Sequence, residues 1–161
     1  MKPKIAYLEI SPRMSGKTAR LIGFANQLKS EGRTVIFVTP MAKAMPFPPQ
    51  MPGVIVLSDG QAPPRGTDLS DAVWIYDEFD FLKSTKLRDG AYYATTARRF
   101  RELGADSPEN DLLLELIEAN GNRFERHFWF FGLRPDSWFT DGRTFHSDEQ
   151  FRLSFIGEFL K

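Results

Sequence analysis

The sequence predicts an α/β fold built on a mostly parallel sheet of about five strands, and three observations predict it. Short apolar runs alternate along the chain with segments of helical periodicity. The apolar runs are continuous, which is typical of strands covered on both faces of a parallel sheet. The chain has 161 residues, of which 42% are hydrophobic and 26% are charged. We therefore expect residues 1–161 to form one domain with its own core.

The first half of the chain predicts one helix and four strands. Leu21, Ala25 and Leu28 recur at helical spacing after Lys17, and Gly32 is expected to end this helix as its C′ residue. Four prolines between residues 45 and 53 predict a loop and not a helix. The predicted strands are residues 4–10, 34–39, 54–57 and 72–76.

The second half predicts three helices and a fifth strand. Residues 91–103 contain few helix breakers and are expected to form a helix that Gly104 ends. Ser107, followed by proline and glutamate, predicts the start of the next helix. A fifth strand is expected over residues 127–133. Ser147 begins a capping-box pattern and hence a last helix, whose apolar face would be Phe151, Phe155, Ile156 and Phe159.

The composition excludes several kinds of site. The chain has no cysteine, which excludes disulfides, cysteine-ligated zinc and thiol nucleophiles. Its 21 basic residues balance 21 acidic ones, so contact with DNA would need a local basic patch or a partner subunit. No apolar run reaches the roughly 20 residues that span a bilayer, and no signal-peptide pattern is present. We therefore expect a cytoplasmic protein without membrane contact, in the host cytoplasm if it is viral.

The turn after the first predicted strand fits the P-loop pattern G-x-x-x-x-G-K-[ST] except at its first position, where Ser11 replaces glycine. Because the turn opens a helix, its backbone N–H groups would bind phosphate oxygens. Gly16 would allow close approach, Lys17 would bridge the β- and γ-phosphates, and Thr18 would ligate Mg²⁺. The predicted nucleotide-binding residues are Ser11, Pro12, Arg13, Met14, Ser15, Gly16, Lys17 and Thr18.

An acid pair follows the fourth predicted strand. Asp77 would support Mg²⁺, and Glu78 would act as the general base that activates a water or a hydroxyl group. Both the turn and the acid pair would lie at the carboxyl ends of parallel strands, where open α/β sheets bind ligands. Taken alone, the pair is more typical of a strand that ends in solvated acids, and its pairing with the P-loop pattern favours the functional interpretation. Asp80 extends the run to D-E-F-D, which is similar to the D-E-x-D box of helicase motors.

The arginines leave two interpretations open. The Arg13 guanidinium group would either stabilise charge on the transferred phosphoryl group or point outward to a surface acid. The basic residues at 98, 99, 101, 123, 126 and 127 would either form solvated faces, which is the simpler interpretation, or contact phosphates of nucleic acid or of a neighbouring subunit's nucleotide.

With S-G-K-T at 15–18 and Y-D-E at 76–78, nearly the whole chain resembles the P-loop NTPases of the additional-strand, catalytic-glutamate division. This resemblance implies a three-layer sandwich carrying Walker A and Walker B motifs. S-P-R-M-S-G-K-T is similar to the phosphate loop of viral DNA-packaging ATPases, the terminase large subunits. That likeness implies an ATP hydrolase that moves nucleic acid, with Arg13 sensing phosphate. Without the nuclease domain and second lobe of that family, the chain is expected to act as a homo-oligomer.

Thymidine kinases are the second family that the chain resembles. They have a comparable loop, an acidic strand of the form D-E-x-x-F, and a strand that ends in G-L-R-x-D, which here is Gly132 to Asp136. The chain departs from that family in having no cysteines and no nucleoside-covering lobe. Three hypotheses follow: a Mg-ATP-dependent motor, a deoxynucleoside kinase, and a nucleotide-binding adaptor without turnover. We expect the catalytic residues to be Glu78, Lys17 and Arg13. Thr18 and Asp77 would bind the metal ion.

Overall fold

The computed structural model describes residues 2–128 and 146–161. Its centre is a five-stranded, all-parallel sheet in the order β1-β5-β4-β2-β3. The strands are β1 (Tyr7–Ile10), β2 (Val35–Val38), β3 (Ile55–Leu57), β4 (Val73–Asp77) and β5 (Tyr92–Thr95). The helices are α1 (Lys17–Ser30), α2 (Phe47–Gln50), α3 (Leu112–Ala119) and α4 (Asp148–Phe151); a 3₁₀ turn covers Phe79–Phe81, and a π-helix, Arg152–Ile156, continues α4.

Different helices cover the two faces of the sheet, an arrangement compatible with a three-layer α/β fold. Along β2, Val35 and Phe37 pack on the face that buries Leu21, Ala25 and Leu28 of α1. The alternate residues of β2 pack on the opposite face, with Leu113 and Leu116 of α3 and Phe159 near the C-terminus. Both faces of each central strand are therefore buried, which explains why the strands are continuous apolar runs.

The carboxyl ends of all five parallel strands lie at the same edge of the sheet, and the strand order places those of β1, β5, β4 and β2 side by side. β5 lies between β1 and β4, and β2 lies on the other side of β4. The loop after β1 therefore faces the residues after β4, although they are far apart in the chain. This edge is where parallel sheets bind ligands.

Most predicted elements of the first half are confirmed. All four predicted strands are present, with ends that agree with the prediction to within three residues. The Arg33 N–H donates to the Leu28 carbonyl at 3.1 Å and the Gly32 N–H to the Lys29 carbonyl at 3.0 Å. These two bonds form a Schellman motif with Gly32 at C′, where its φ of 83° places it in the left-handed region. The capping box at Ser147 is also present.

The helix predicted over residues 91–103 is wrong, because Tyr92–Thr95 form the strand β5. The segment has few helix breakers, but Tyr92, Tyr93 and Thr95 are aromatic or β-branched side chains that suit a pleated surface. Tyr93 is completely buried and stacks on Tyr76 of β4, with ring centroids 5.3 Å apart. Packing between two strands therefore decides the conformation of this segment.

Two other predictions are wrong in part, the loop over residues 45–53 and the start of the helix after Ser107. The proline-rich loop contains the one-turn helix α2, which accommodates Pro48 and Pro49 because they lie in its first turn. Helix α3 begins after its N-cap Asp111, while Ser107 caps a preceding turn. Residues 129–133 of the predicted fifth strand lie outside the described residues. Just before them, Glu125 forms a parallel bridge with Glu9 at the outer edge of β1.

The helices that the structure describes do not include one with the length and apolar character needed to span a membrane.

Candidate functional site

Residues 11–18, which we call the phosphate loop after the prediction made for them, and the acid pair, Asp77 and Glu78, meet at one cavity. We call it the loop cavity. Its volume is about 540 Å³. The loop follows β1 and the acid pair follows β4, so the order of strands in the sheet brings them together. The cavity is lined by Arg13, Met14, Lys17, Thr18, Pro40, Met41, Met45, Phe47, Asp77, Glu78 and Phe81.

The phosphate loop turns sharply into α1. Met14 and Gly16 both have positive φ, 54° and 83°. Gly16 is the N-cap of α1 and has no side chain to satisfy the N–H groups of the first turn. These N–H groups and the helix dipole create positive potential at the start of α1, which favours an anion.

Lys17 is buried and lies between the loop and the acid pair. Its side chain is 5% exposed. The ammonium group donates to the Pro12 carbonyl at 3.0 Å and lies 3.5 Å from Glu78 Oε1. A buried cation held by one carbonyl and one carboxylate is suited to bind further anionic oxygens from the cavity.

Asp77 joins three elements. Thr18 Oγ1 of α1 donates to Asp77 Oδ1 at 3.0 Å, and Thr39 Oγ1, after β2, donates to Asp77 Oδ2 at 2.9 Å. Burial, together with the neighbouring charge of Glu78, raises the pKa of Asp77 to about 6, against the hydrogen bonds from the two threonines and the charge of Lys17.

Glu78 reaches the cavity because the backbone turns at this residue. Adjacent residues of a continuing strand point to opposite faces of the sheet. Glu78 instead has φ 50° and ψ 47°, the left-handed conformation, which ends β4 and allows both carboxylates to line the cavity. Its Oε2 accepts the Thr96 N–H at 3.2 Å, and its Oε1 faces Lys17. Such strained backbone is common at functional sites.

The donor set at Asp77 fits magnesium. Mg²⁺ prefers hard oxygen ligands and usually binds through one or two carboxylates together with substrate phosphates. The Asp77 carboxylate and the Thr18 hydroxyl group, 3.0 Å apart, supply such oxygens. Among residues 2–128 and 146–161, no three or more histidine or acidic side chains form a cluster that could hold a metal by themselves.

The remaining loop residues have distinct surroundings. Ser11, which stands where the P-loop pattern has glycine, is fully buried. Its hydroxyl oxygen accepts the His127 N–H at 2.9 Å, a contact that glycine could not make, and this bond joins the loop to the segment that follows Glu125. The Ser15 hydroxyl donates to the Pro12 carbonyl at 2.8 Å. The Arg13 N–H donates to the Ser154 carbonyl at 2.7 Å, while its side chain lines the cavity.

Arg99 and Arg101, for which the sequence left a solvated face or a phosphate contact open, do not lie at the cavity. Arg101 is 3% exposed and pairs with Asp80 at 2.6 Å and with Asp111 at 3.1 Å, so both Arg101 and Asp80 belong to a buried ion network. Arg99 pairs with Asp106 at 2.8 Å. Neither arginine is helical, in contrast to the prediction. The G-L-R segment at 132–134 lies outside the described residues.

The sequence analysis missed three groups of residues around the loop. Thr39 was predicted only as a strand end, although its position at the carboxyl end of a parallel strand could have indicated it. Thr95 and Thr96, beside Glu78, were missed because their segment was interpreted as a helix. Glu9 and Arg20, which pair behind the loop, carry no recognisable motif.

Comparisons of the chain with protein-family models, with curated proteins and with solved structures give no match. The chemistry of the loop cavity therefore stands on its own geometry.

Proposed function

We propose that this protein is a P-loop ATPase that binds Mg-ATP in the loop cavity and hydrolyses its β–γ bond. One observation carries the proposal. Lys17 Nζ lies 3.5 Å from Glu78 Oε1, and Thr18 Oγ1 lies 3.0 Å from Asp77 Oδ1, although each pair is about sixty residues apart in the chain. A cation and a hydroxyl group on a helix N-terminus, facing a carboxylate pair, are the parts that phosphoryl transfer requires.

The chain supplies a specific group for each task. The first turn of α1 and Lys17 would bind the triphosphate. Asp77 and Thr18 would hold magnesium, which neutralises phosphate charge when bound. Glu78, which is 25% exposed and held by Lys17 and the Thr96 N–H, would orient and deprotonate the attacking water. Arg13, at the cavity wall, would stabilise charge that develops on the phosphoryl group.

The proposed hydrolysis would drive movement of nucleic acid in a homo-oligomer, as the resemblance to packaging ATPases implies. The position of β5 between β1 and β4 supports assignment to the additional-strand division. Because the chain has as many acidic as basic residues, such a motor would contact DNA only through a local basic patch or a partner subunit, and the charge balance itself weighs mildly for the adaptor hypothesis.

A second candidate is phosphoryl transfer to a nucleoside, and the apolar side of the cavity favours it. Met41, Met45, Phe47 and Phe81 line the cavity beside the acid pair, and all except Phe47 are 40% or more exposed. A thioether and aromatic surface next to the proposed base is suited to a planar ring.

The test combines binding and turnover. Calorimetry with Mg-ATP should show binding to the wild type and to Glu78→Gln but not to Lys17→Ala. Glu78→Gln should lower turnover by about 10²- to 10⁴-fold, because it removes the general base. Stimulation by duplex DNA supports the motor, and phosphorylated thymidine as product supports the kinase. Binding without turnover under either condition would support an adaptor, and the absence of binding would contradict all three.

A further inference from the structure

A buried ion pair lies directly behind the phosphate loop. Glu9, in the middle of β1, is completely buried. Arg20, in the first turn of α1, donates to it through two parallel bonds, from Nε to Oε1 and from Nη2 to Oε2, both 2.7 Å long. This two-point geometry fixes the plane of the guanidinium group, which a single bond would leave free to rotate.

The same guanidinium group holds the backbone of the loop. Arg20 Nη2 also donates to the Ser15 carbonyl at 2.6 Å. A β-carbon on Gly16 would lie 3.0 Å from Arg20 Nη1, so the guanidinium group packs against the Gly16 backbone. Arg20 therefore contacts both residues of the Ser15–Gly16 peptide.

Fixing one end of a peptide group orients its other end. In a planar trans peptide, the C=O and the N–H point in opposite directions. Because Arg20 holds the Ser15 carbonyl, the Gly16 N–H is directed away from the guanidinium group. Neither Glu9 nor Arg20 is among the residues that line the loop cavity, so the pair acts from behind the loop.

Glu9 is itself held in its charged form. Burial raises the pKa of its carboxyl group, but hydrogen bonds from Arg20, Ser11 and Tyr7 outweigh this effect and keep the pKa below its usual range. The Tyr7 hydroxyl group donates to Glu9 Oε1 at 2.8 Å. A charged carboxylate that accepts hydrogen bonds from Arg20 and Tyr7 within the sheet is a rigid anchor for Arg20.

We infer that Arg20 is a positioning residue for phosphate binding. Its guanidinium group, held by Glu9, fixes the orientation of the Ser15–Gly16 peptide before phosphate binds. The inference rests on the proposed function, since the orientation matters only if the loop binds phosphate. A preorganised N–H donor binds an anion without first losing conformational freedom. We call the Glu9–Arg20 pair, together with the bond from Arg20 to the Ser15 carbonyl, the brace. Weakening the brace should therefore reduce the affinity of the loop for the phosphate chain of ATP.

The test uses Arg20→Lys, which keeps the positive charge beside Glu9 but cannot donate two parallel bonds and reach Ser15 as well. Calorimetry with Mg-ATP and with inorganic tripolyphosphate should show affinities about tenfold or more weaker than those of the wild type. Glu9→Gln should act in the same direction. The double variant should be no weaker than Arg20→Lys, because both changes break one brace.

The matched control is Arg33→Lys, the same substitution at an exposed arginine that faces Asp71 away from the loop. It should leave both affinities unchanged. In a sample labelled with ¹⁵N-glycine, the Gly16 amide signal of the free protein should shift in Arg20→Lys and not in Arg33→Lys, which a general loss of stability would not produce. If Arg20→Lys does not fold, Glu9→Gln provides the same comparison.

The outcomes separate the two proposals. If wild type binds Mg-ATP and Arg20→Lys binds it equally well, the brace is wrong and the proposed function stands. Additive effects of the two variants would likewise contradict a shared brace. If wild type binds neither Mg-ATP nor tripolyphosphate, both proposals fail.

Discussion

Asp77 carries a carboxylate that is costly to ionise in the folded protein. It is 1% exposed, and burial raises its pKa to about 6 from an ordinary value of 3.8. The folded state therefore binds a proton more tightly than the unfolded state does between these values, and stability falls as the pH rises through this window. By about one unit above the folded pKa, roughly pH 7, the penalty is nearly complete and is on the order of 2–3 kcal/mol.

Asp77→Asn should therefore stabilise the free protein while abolishing its magnesium-dependent binding. At pH 8 we expect a melting temperature about 4–8 °C above that of the wild type, with the gap closing as the pH falls to 4. Thermal melts across this range measure it. Asp59→Asn is the control, and it should lower the melting temperature at pH 8. Burial raises the Asp59 pKa, but hydrogen bonds from the Ser84 hydroxyl group and from the Lys83 and Ser84 N–H groups outweigh it and lower that pKa. A lower melting temperature for Asp77→Asn at pH 8 would show that its charged form is not penalised.

At the scale of secondary structure, the C-terminal π-helix packs on the phosphate loop. Ser154 accepts the Arg13 N–H, and Gly157 follows the helix with a φ of 75°. A β-carbon at Gly157 would lie 2.9 Å from Pro12 Cδ and 3.0 Å from the Pro12 nitrogen. Glycine is required there both for the left-handed backbone and for contact with the loop.

Gly157→Ala should destabilise the protein and also displace the loop. Gly32→Ala is the matched control, because Gly32 has φ 83° but nothing within 4 Å of an added β-carbon. We expect a loss of about 1–2 kcal/mol for Gly32→Ala and about 2–4 kcal/mol for Gly157→Ala. Urea denaturation measures both. Only Gly157→Ala should weaken Mg-ATP binding; equal affinities in the two variants would show that the contact does not shape the loop.

At the scale of the whole molecule, Arg101 joins segments that are distant in the sequence. It pairs with Asp80 after β4 and with Asp111, the N-cap of α3. Its backbone N–H donates to the Phe159 carbonyl and its carbonyl accepts the Lys161 N–H, so the C-terminus is attached at the same point. Its guanidinium group neutralises the carboxylates of Asp80 and Asp111, whose side chains are 11% and 8% exposed.

Arg101→Met should cost about 3–5 kcal/mol of unfolding free energy, since it leaves Asp80 buried without its cation and Asp111 with only the 3.4 Å contact to Arg99. Arg99→Met, at a side chain that is 51% exposed, should cost less than about 1 kcal/mol. Both are measured by urea denaturation at pH 7. Similar losses in the two variants would mean that burial of the network contributes little.

The local patterns in the chain were enough to predict the four strands of the first half, the helix after Lys17 and its Gly32 end, because each depends on neighbouring residues. They were not enough for β5. Tyr92 to Thr95 form a strand because β1 and β4 flank them on either side, and that pairing is formed by segments far away in the chain. Short segments follow their tertiary neighbours more than their own propensity.

The candidate site divides in the same way. Sequence alone was enough to select residues 11–18 and the acid pair as candidate site residues, since both are contiguous segments whose spacing reflects local backbone geometry. Only the tertiary structure decided that they share one cavity, that Thr39 and Thr96 support the carboxylates, and that Glu9 and Arg20 hold the loop from behind. The contacts at the carboxylates join segments that follow different strands, and the pair behind the loop joins a strand to a helix. The order of strands in a sheet is set by long-range packing, which the spacing of residues within one segment does not reveal.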